Sequence, residues 1–191
     1  MANVTIFGKG NMGQAIGQNF KDAGNDVTYI TRDSSGEKLG EIVVLAVPYS
    51  SISEIIAKYK TELENKIIID ITNPVDFATF DSLVVPSDSS ATAEIANQLT
   101  KSAVIKGFNT NFAATLVNKQ ICTSHQTTVL LAGDDKSVKD RAISALEGSG
   151  LSIIDAGSMK RARELEAMGF LQISLAGANK ISWNGGFGVF E

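Results

Sequence analysis

Glycines at positions 8, 10 and 13 stand in the run Phe7-Gly8-Lys9-Gly10-Asn11-Met12-Gly13, directly after the apolar and β-branched segment Val4-Thr5-Ile6-Phe7. In isolation G-x-G-x-x-G is a weak signal. Between a strand and a helix it is the turn on which a dinucleotide pyrophosphate rests. Gly8 permits the tight turn, Gly10 lets a phosphate reach the backbone, and Gly13 lets helix and strand pack closely. The helix that follows offers unpaired N–H groups and the positive end of its dipole to the same anion. The competing reading is a tight turn without a ligand, but three glycines cost backbone entropy that such a turn does not require.

The end of the second apolar run bears on which dinucleotide is held. A chain reading NAD places Asp or Glu there for the ribose 2′-hydroxyl. Here the run is Val27-Thr28-Tyr29-Ile30-Thr31-Arg32-Asp33. Thr31 offers a hydroxyl to a 2′-phosphate, and the Arg32 guanidinium pairs with it while stacking on adenine. Lys38 is available to assist. Asp33 argues the other way, since a shift of one residue puts it on a ribose hydroxyl. The balance of residues favours NADP.

Two more strand ends bring uncharged groups to the same edge. Ala46-Val47-Pro48-Tyr49-Ser50 ends on a proline that lacks an N–H and presses its ring on a ribose or base. Asp70-Ile71-Thr72-Asn73-Pro74 supplies Thr72 and Asn73 as neutral hydrogen-bond partners for a carboxamide or ribose, although Asn73-Pro74 also reads as ordinary turn chemistry. Acid–base and nucleophilic candidates are poor. His125, the sole histidine, lies in a polar stretch and reads as a solvent-exposed loop residue; Cys122, the sole cysteine, reads as a small buried apolar residue. Neither residue type is numerous enough for a closed metal shell. No catalytic side chain and no metal are therefore assigned.

These residues need a frame. Short β-branched runs at residues 4–7, 27–31, 42–47, 67–71, 103–107, 127–131 and 151–155 alternate with helical patterns. Ile42-Val43-Val44-Leu45 and Ile67-Ile68-Ile69 are continuously apolar, as strands buried on both faces are. Helices are predicted over residues 11–22, 51–59, 92–99, 136–147 and 159–181. The second opens on Ser51-Ile52-Ser53-Glu54, a capping-box pattern, and Gly148 is a C-cap candidate for the fourth. Residues 72–90 form the longest stretch without a clear element. The last helix is apolar around most of its circumference, at Ala167-Met168-Gly169-Phe170-Leu171 and Ile173-Ser174-Leu175-Ala176, so it is covered by its own sheet or by a second subunit; a homodimer is favoured. The aromatic, glycine-rich tail from Trp183 to Phe190 is read as cover for the nicotinamide pocket, that of the partner, or a simple packed terminus.

Composition excludes other classes. The 191 residues are 43% hydrophobic and 20% charged with a net charge of -4, which suits a packed core and disfavours a nucleic-acid surface. No apolar run approaches the roughly 20 residues of a membrane span. Met1 leads straight into the first strand, which leaves no room for a signal peptide, so a cytoplasmic protein is expected.

The glycine turn, Thr31-Arg32, Ala46-Val47-Pro48 and Asp70-Ile71-Thr72-Asn73-Pro74 occur in one order with further segments. These are Ser89-Ser90-Ala91-Thr92-Ala93-Glu94, Val104-Ile105-Lys106-Gly107-Phe108-Asn109-Thr110, Ala132-Gly133-Asp134-Asp135, and Asp155-Ala156-Gly157-Ser158 followed by Ala162-Arg163-Glu164-Leu165-Glu166. In these the chain resembles the deazaflavin-dependent NADP oxidoreductases, a group that includes the oxidoreductase domain of the STEAP metalloreductases, as a shortened, bacterial-type member. The resemblance covers nearly the whole chain. It implies direct hydride transfer between NADP(H) and a flavin or deazaflavin, with no side chain acting as acid, base or nucleophile. It implies that Gly8, Lys9, Gly10, Asn11, Met12 and Gly13, with Thr31, Arg32, Ala46, Val47, Pro48, Thr72, Asn73 and Pro74, line the dinucleotide site. Asn109 to Phe112 and Ala132-Gly133 are implied near the second substrate.

One departure stands out. Residues 34–40 alone separate the second strand from Glu41-Ile42-Val43-Val44, too few for the helical crossover that the family inserts. The expected fold is thus an α/β, Rossmann-type doubly wound, mostly parallel sheet of about seven strands lacking one crossover. Glu41 or Lys38 is expected to close the adenine pocket. Residues 1–158 form the NADP-binding domain and 159–191 a helix and tail packed on it or on a partner. The partners expected are a small-molecule redox acceptor and a second copy, with neither nucleic acid nor membrane. Two rivals stay open: an NADPH-binding sensor without chemistry, and an imine or carbonyl reductase like the pyrroline carboxylate reductases, which depend on a longer helical C-terminal domain.

Overall fold

The computed structural model describes residues 1–34, 36–122 and 124–190. The strands are β1 (Asn3–Phe7), β2 (Asp26–Ile30), β3 (Ile42–Leu45), β4 (Ile67–Asp70), β5 (Ala103–Lys106), β6 (Gln120–Ile121), β7 (His125–Gln126), β8 (Thr128–Ala132) and β9 (Ser152–Gly157). The helices are α1 (Asn11–Asp22), α2 (Ile52–Tyr59), α3 (Ala91–Gln98), α4 (Ala113–Asn118), α5 (Lys136–Ser144) and α6 (Arg161–Gly177). Among the described residues the main sheet has seven strands in the order β2-β1-β3-β4-β5-β8-β9, and β6 and β7 form a separate small hairpin. The first five strands of that order run parallel, so the expected α/β, mostly parallel, doubly wound architecture is present. β8 lies antiparallel to β5 through the single pair Lys106↔Ala132, and β9 runs parallel to β8.

Alternation along each strand divides the core in two. Val4, Ile6, Ile42, Val44, Ile67, Ile69 and Ile105 pack with Ile16 and Phe20 of α1 on one face. Phe7, Val43, Leu45, Ile68 and Val104 pack with Ile52, Ile56 and Tyr59 of α2 and Ile95 of α3 on the other. Continuous apolar runs are thus read by both helical layers, each fully buried side chain contributing roughly 1.5–3 kcal/mol.

Among the described residues no helix joins β2 to β3. The connection passes under β1, where Leu39 is buried and the Gly40 N–H donates to Thr5 Oγ1 at 2.8 Å. Gly40 sits against the Asn3 carbonyl so closely that a Cβ would overlap it. β2 is consequently the sheet's edge. Ser35, in this connection, lies outside the described residues.

Several local expectations are corrected. A 3₁₀ turn over Tyr49–Ser51 feeds α2, and Ser51 has helical dihedrals with no side-chain cap, so the capping box does not form. A box requires extended backbone at its first residue, and Ser51 is already inside the turn. The real N-caps are Ser90, accepting from Ala93 N, and Asp135, accepting from Ser137 N and Val138 N. α4 and the β6–β7 hairpin were not anticipated. The hairpin takes up His125, which is exposed as expected but stands in a strand, meeting Phe190 edge-on with ring centroids 4.8 Å apart. Cys122 is exposed at a positive φ in the hairpin turn, not buried. α6 is shorter than predicted, because the Ser158–Arg161 turn delays its start and it ends on Gly177, a poor helix former.

α6 buries Ala162, Leu165, Glu166, Gly169, Gln172 and Ala176, a stripe of one helical face, and packs on α3 and β8 of its own chain. The tail runs back over α4 and the hairpin. Trp183 meets Phe112 at 4.8 Å, the Cys122 N–H donates to Asn184 O, and the Phe187 N–H donates to Gln172 Oε1. Among the described residues no helix is long and apolar enough to cross a membrane.

Candidate functional site

The carboxyl ends of β1, β2 and β3 open on one cleft, at the place where the strand order reverses around β1. This is where ligands of open α/β sheets bind. A cavity of about 390 Å³ lies there, lined by Gly8 and Lys9 after β1, Thr31 and Arg32 after β2, and Val47 and Pro48 after β3. The α2 side chains Glu54, Ile55, Lys58 and Tyr59 complete its wall. Three cations and one carboxylate therefore face a single cavity in a chain whose net charge is -4. Such a local reversal of sign attracts a polyanion.

The glycine turn has the shape that a pyrophosphate needs. Gly8 has φ +99°, and a Cβ there would overlap the Ala46 carbonyl oxygen. Gly13 lies so close to the turn that its Cβ would overlap the Gly8 carbonyl oxygen. A Cβ on Gly10, in contrast, would meet nothing within 4 Å. Two of the three glycines thus bring chain segments together, while the third keeps space open above the backbone. Gly10 is also the N-cap of α1, with no side-chain cap and no acidic residue in the first turn. The N–H groups there are left for an external acceptor. These features fit the phosphates of a dinucleotide.

Thr31 and Arg32 are exposed at the rim. The Thr31 N–H donates to Ser34 Oγ at 3.0 Å, which folds the strand end into a turn and leaves the guanidinium unpaired among the described residues. Asp33 and Lys38 are exposed and are not part of the cavity wall. Glu41 does not close the pocket either. It precedes β3, at the opposite end of the strand, and is paired with Arg141 Nη2 at 2.9 Å. The wall opposite the strand ends is formed by α2, the connection from β3 to β4.

Thr72, Asn73 and Pro74 are not in this cavity but further along the carboxyl edge, after β4. Thr72 and Pro74 are buried and Asn73 is half-exposed. The Asn73 amide pairs with Asn109: Asn73 Nδ2 donates to Asn109 O and Asn109 Nδ2 donates to Asn73 Oδ1, both at 2.8 Å. Asn109 also reaches Leu165 O of α6, and Gly169 has no Cβ because one would overlap Asn73 Oδ1. Asn109 to Phe112 are all buried, and Gln172 Nε2 donates to Thr110 O at 3.2 Å. Ala132 is buried, and Gly133 lies against Ile105.

Beneath the Thr72–Pro74 turn is a charged cluster that the sequence reading missed. Lys106 Nζ donates to Asp70 Oδ2 at 2.6 Å, Thr72 O at 2.7 Å and Glu166 Oε1 at 2.8 Å, and all three charged side chains are fully buried. Asp70 Oδ2 also accepts from Thr92 Oγ1, and Asp70 Oδ1 accepts from the Thr72 N–H. Glu166 Oε2 accepts from the Ala91 N–H at the start of α3. Burial pushes the Glu166 carboxyl above the usual carboxylate range, against the pull of the Lys106 ammonium. A signal was present in the sequence. Asp70 and Lys106 each end an apolar run, and the register pairs them on neighbouring strands. Among the described residues no group of three or more His, Cys, Asp or Glu is placed to hold a metal.

Comparison with known proteins follows the same line. The profile of the family described as NADP oxidoreductase, coenzyme F420-dependent, matches residues 35–74, which hold β3, β4 and the Thr72–Pro74 turn. An F420-dependent NADP reductase of Methanocaldococcus jannaschii is 30% identical over 142 residues, or 72% of this chain, and the match spans 63% of that protein's length. A structure from Arthrobacter sp. FB24, described provisionally as an F420-dependent NADP reductase, superposes with a TM-score of 0.86 over 100% of both chains at 24% identity. An imine reductase of Streptomyces aurantiacus shares the fold with a TM-score of 0.62 and 17% identity, over 91% of this chain and 61% of its own. The resemblance read from the motifs is borne out by the family profile and the Methanocaldococcus relative, and the fold by the Arthrobacter structure.

Proposed function

We propose, on the premise that this chain is a relative of the coenzyme F420-dependent NADP oxidoreductases, that it is an enzyme passing a hydride between NADP(H) and a deazaflavin or flavin. The observation that carries the reading is the cavity at the ends of β1, β2 and β3, with Lys9, Arg32 and Lys58 facing it beside the open space over Gly10. In this reading Gly8 to Gly13 hold the pyrophosphate, and Thr31 and Arg32 hold the 2′-phosphate. Ala46, Val47 and Pro48 flank the middle of the molecule, and the Thr72–Pro74 turn meets its nicotinamide half.

The nicotinamide, when bound, supplies the carbon that gives or receives hydride. The chain contributes orientation: it holds one ring where a second flat ring can stack, and it keeps water from the contact. No side chain need gain or lose a proton for that transfer. Purified protein should oxidise NADPH when a deazaflavin such as coenzyme F420 or a flavin is added, followed by loss of nicotinamide absorbance. Tight NADPH binding with no turnover on either acceptor would instead favour a sensor, and turnover on cyclic imines would favour a reductase of that class.

We also propose that two copies pair across the outer side of α6. Leu171 is 53% exposed there, and Met168 and Leu175 on the same face are only half-buried by their own chain. Sedimentation velocity should give a dimer that Leu171→Asp converts to monomer. A native chain that sediments as a monomer across micromolar concentrations would dismiss the pairing.

A further inference from the structure

The Lys106 cluster is a poor device for stability alone. Taking one ammonium and two carboxylates out of water costs more than well-packed apolar side chains of the same volume would. What such a cluster does well is fix a geometry, because an ammonium with three acceptors has only one arrangement. The geometry fixed here is that of Thr72. Its carbonyl is held by Lys106 Nζ at 2.7 Å and its N–H by Asp70 Oδ1 at 2.9 Å, so both of its main-chain polar groups are tied to the cluster.

The ties spread to every neighbouring element. Asp70 ends β4, Lys106 ends β5, Thr92 and the Ala91 N–H open α3, and Glu166 comes from α6. Each group touching the two carboxylates is a donor, and each of the three Lys106 protons has an acceptor. The next residue, Asn73, is the half-exposed member of the turn, braced from the other side by Asn109. The Thr72 hydroxyl is buried with no partner among the described residues, so only its main-chain groups are tied to the cluster.

We propose that Lys106 is a positioning residue: held by Asp70 and Glu166, it fixes the Thr72–Asn73–Pro74 turn against the nicotinamide half of the bound dinucleotide. This rests on the dinucleotide reading above. It makes no contact with the cofactor and acts only through the turn.

The test separates the two halves of the ligand. NADPH and adenosine 2′,5′-bisphosphate, which carries the adenine and 2′-phosphate but no nicotinamide, are titrated by calorimetry into the native chain, Lys106→Met, Asn73→Ala and the double variant. Lys106→Met should weaken NADPH about tenfold, the scale of a small misplacement at a site, and leave the bisphosphate unchanged within about twofold. The double variant should bind NADPH no worse than Asn73→Ala alone, because both changes remove one contact. If Lys106→Met does not fold, Glu166→Gln takes its place in the cycle, since it loosens the same ammonium while keeping side-chain length. Equal losses for both ligands, or losses that multiply in the double variant, overturn the positioning role. A native chain that binds neither ligand overturns the dinucleotide reading itself.

Discussion

Gly13→Val should leave a chain that no longer binds NADPH and that melts well below the native one, whereas Gly10→Ala should melt almost normally and still bind poorly. The contrast follows from what surrounds each glycine. A Cβ on Gly13 overlaps a backbone carbonyl, that of Gly8, which cannot rotate away as a side chain can. Either α1 moves off β1 or the turn opens, and overpacking of this kind costs about 1–3 kcal/mol before any ligand is considered. Gly10 has extended dihedrals, φ -74° and ψ -176°, and open space where its Cβ would go. Alanine is allowed there, and its effect on folding should stay within about 1 kcal/mol, the scale of a cap substitution. On the proposed reading the open space is nevertheless where the phosphates approach. Filling it should lower NADPH affinity at least about tenfold, the worth of roughly one lost charge-assisted hydrogen bond. Thermal melts and titrations of the two variants decide the matter; native affinity in Gly10→Ala would mean that the phosphates lie elsewhere.

Arg32→Ala should weaken NADPH by between about tenfold and about a hundredfold, as expected for losing hydrogen bonds to a charged group. NADH, which has no 2′-phosphate, should be nearly unaffected. Arg32 is exposed at the cavity rim and has no ion-pair partner among the described residues, so its removal strands no internal charge and leaves the fold intact. The measurement is the ratio of the two dissociation constants in native and variant chains. Equal losses for NADPH and NADH would show that Arg32 does not read the 2′-phosphate, and attention would move to Asp33 on the same turn.

The frame of the sheet was legible because burial on both faces leaves a plain mark: Ile42 to Leu45 and Ile67 to Ile69 are apolar at every position, and both are central strands. The glycine turn was legible for a related reason, since close backbone approaches admit no other residue. Short elements left no such mark. α4 spans six residues and each strand of the β6–β7 hairpin two, too few for any period to appear. The pocket wall was misassigned to Glu41 and Lys38 because proximity in sequence to the missing crossover suggested them. The direction of β3 places Glu41 at the far end of the sheet, and the cavity wall comes from α2 instead. The Lys106 cluster was hidden for a different reason. A lysine at the end of a strand ordinarily reaches water, and its burial depends on Glu166, sixty residues later in the chain.

The single pair Lys106↔Ala132 that joins β5 to β8 leaves a seam in the main sheet where the backbone ladder is short. Across this seam the joint is carried mainly by side chains: Asn111 Nδ2 donates to Thr128 O, and Ile105 shares one apolar core with Val129 and Leu131. Opening along that line breaks few main-chain bonds, so amide protons of β8 and β9 should exchange faster than those of β1, β3 and β4 in a native-state hydrogen-exchange measurement. On the proposed reading, a second ring that arrives and departs on every turnover would meet the part of the sheet beyond this seam, while the glycine turn on the other side stays in place.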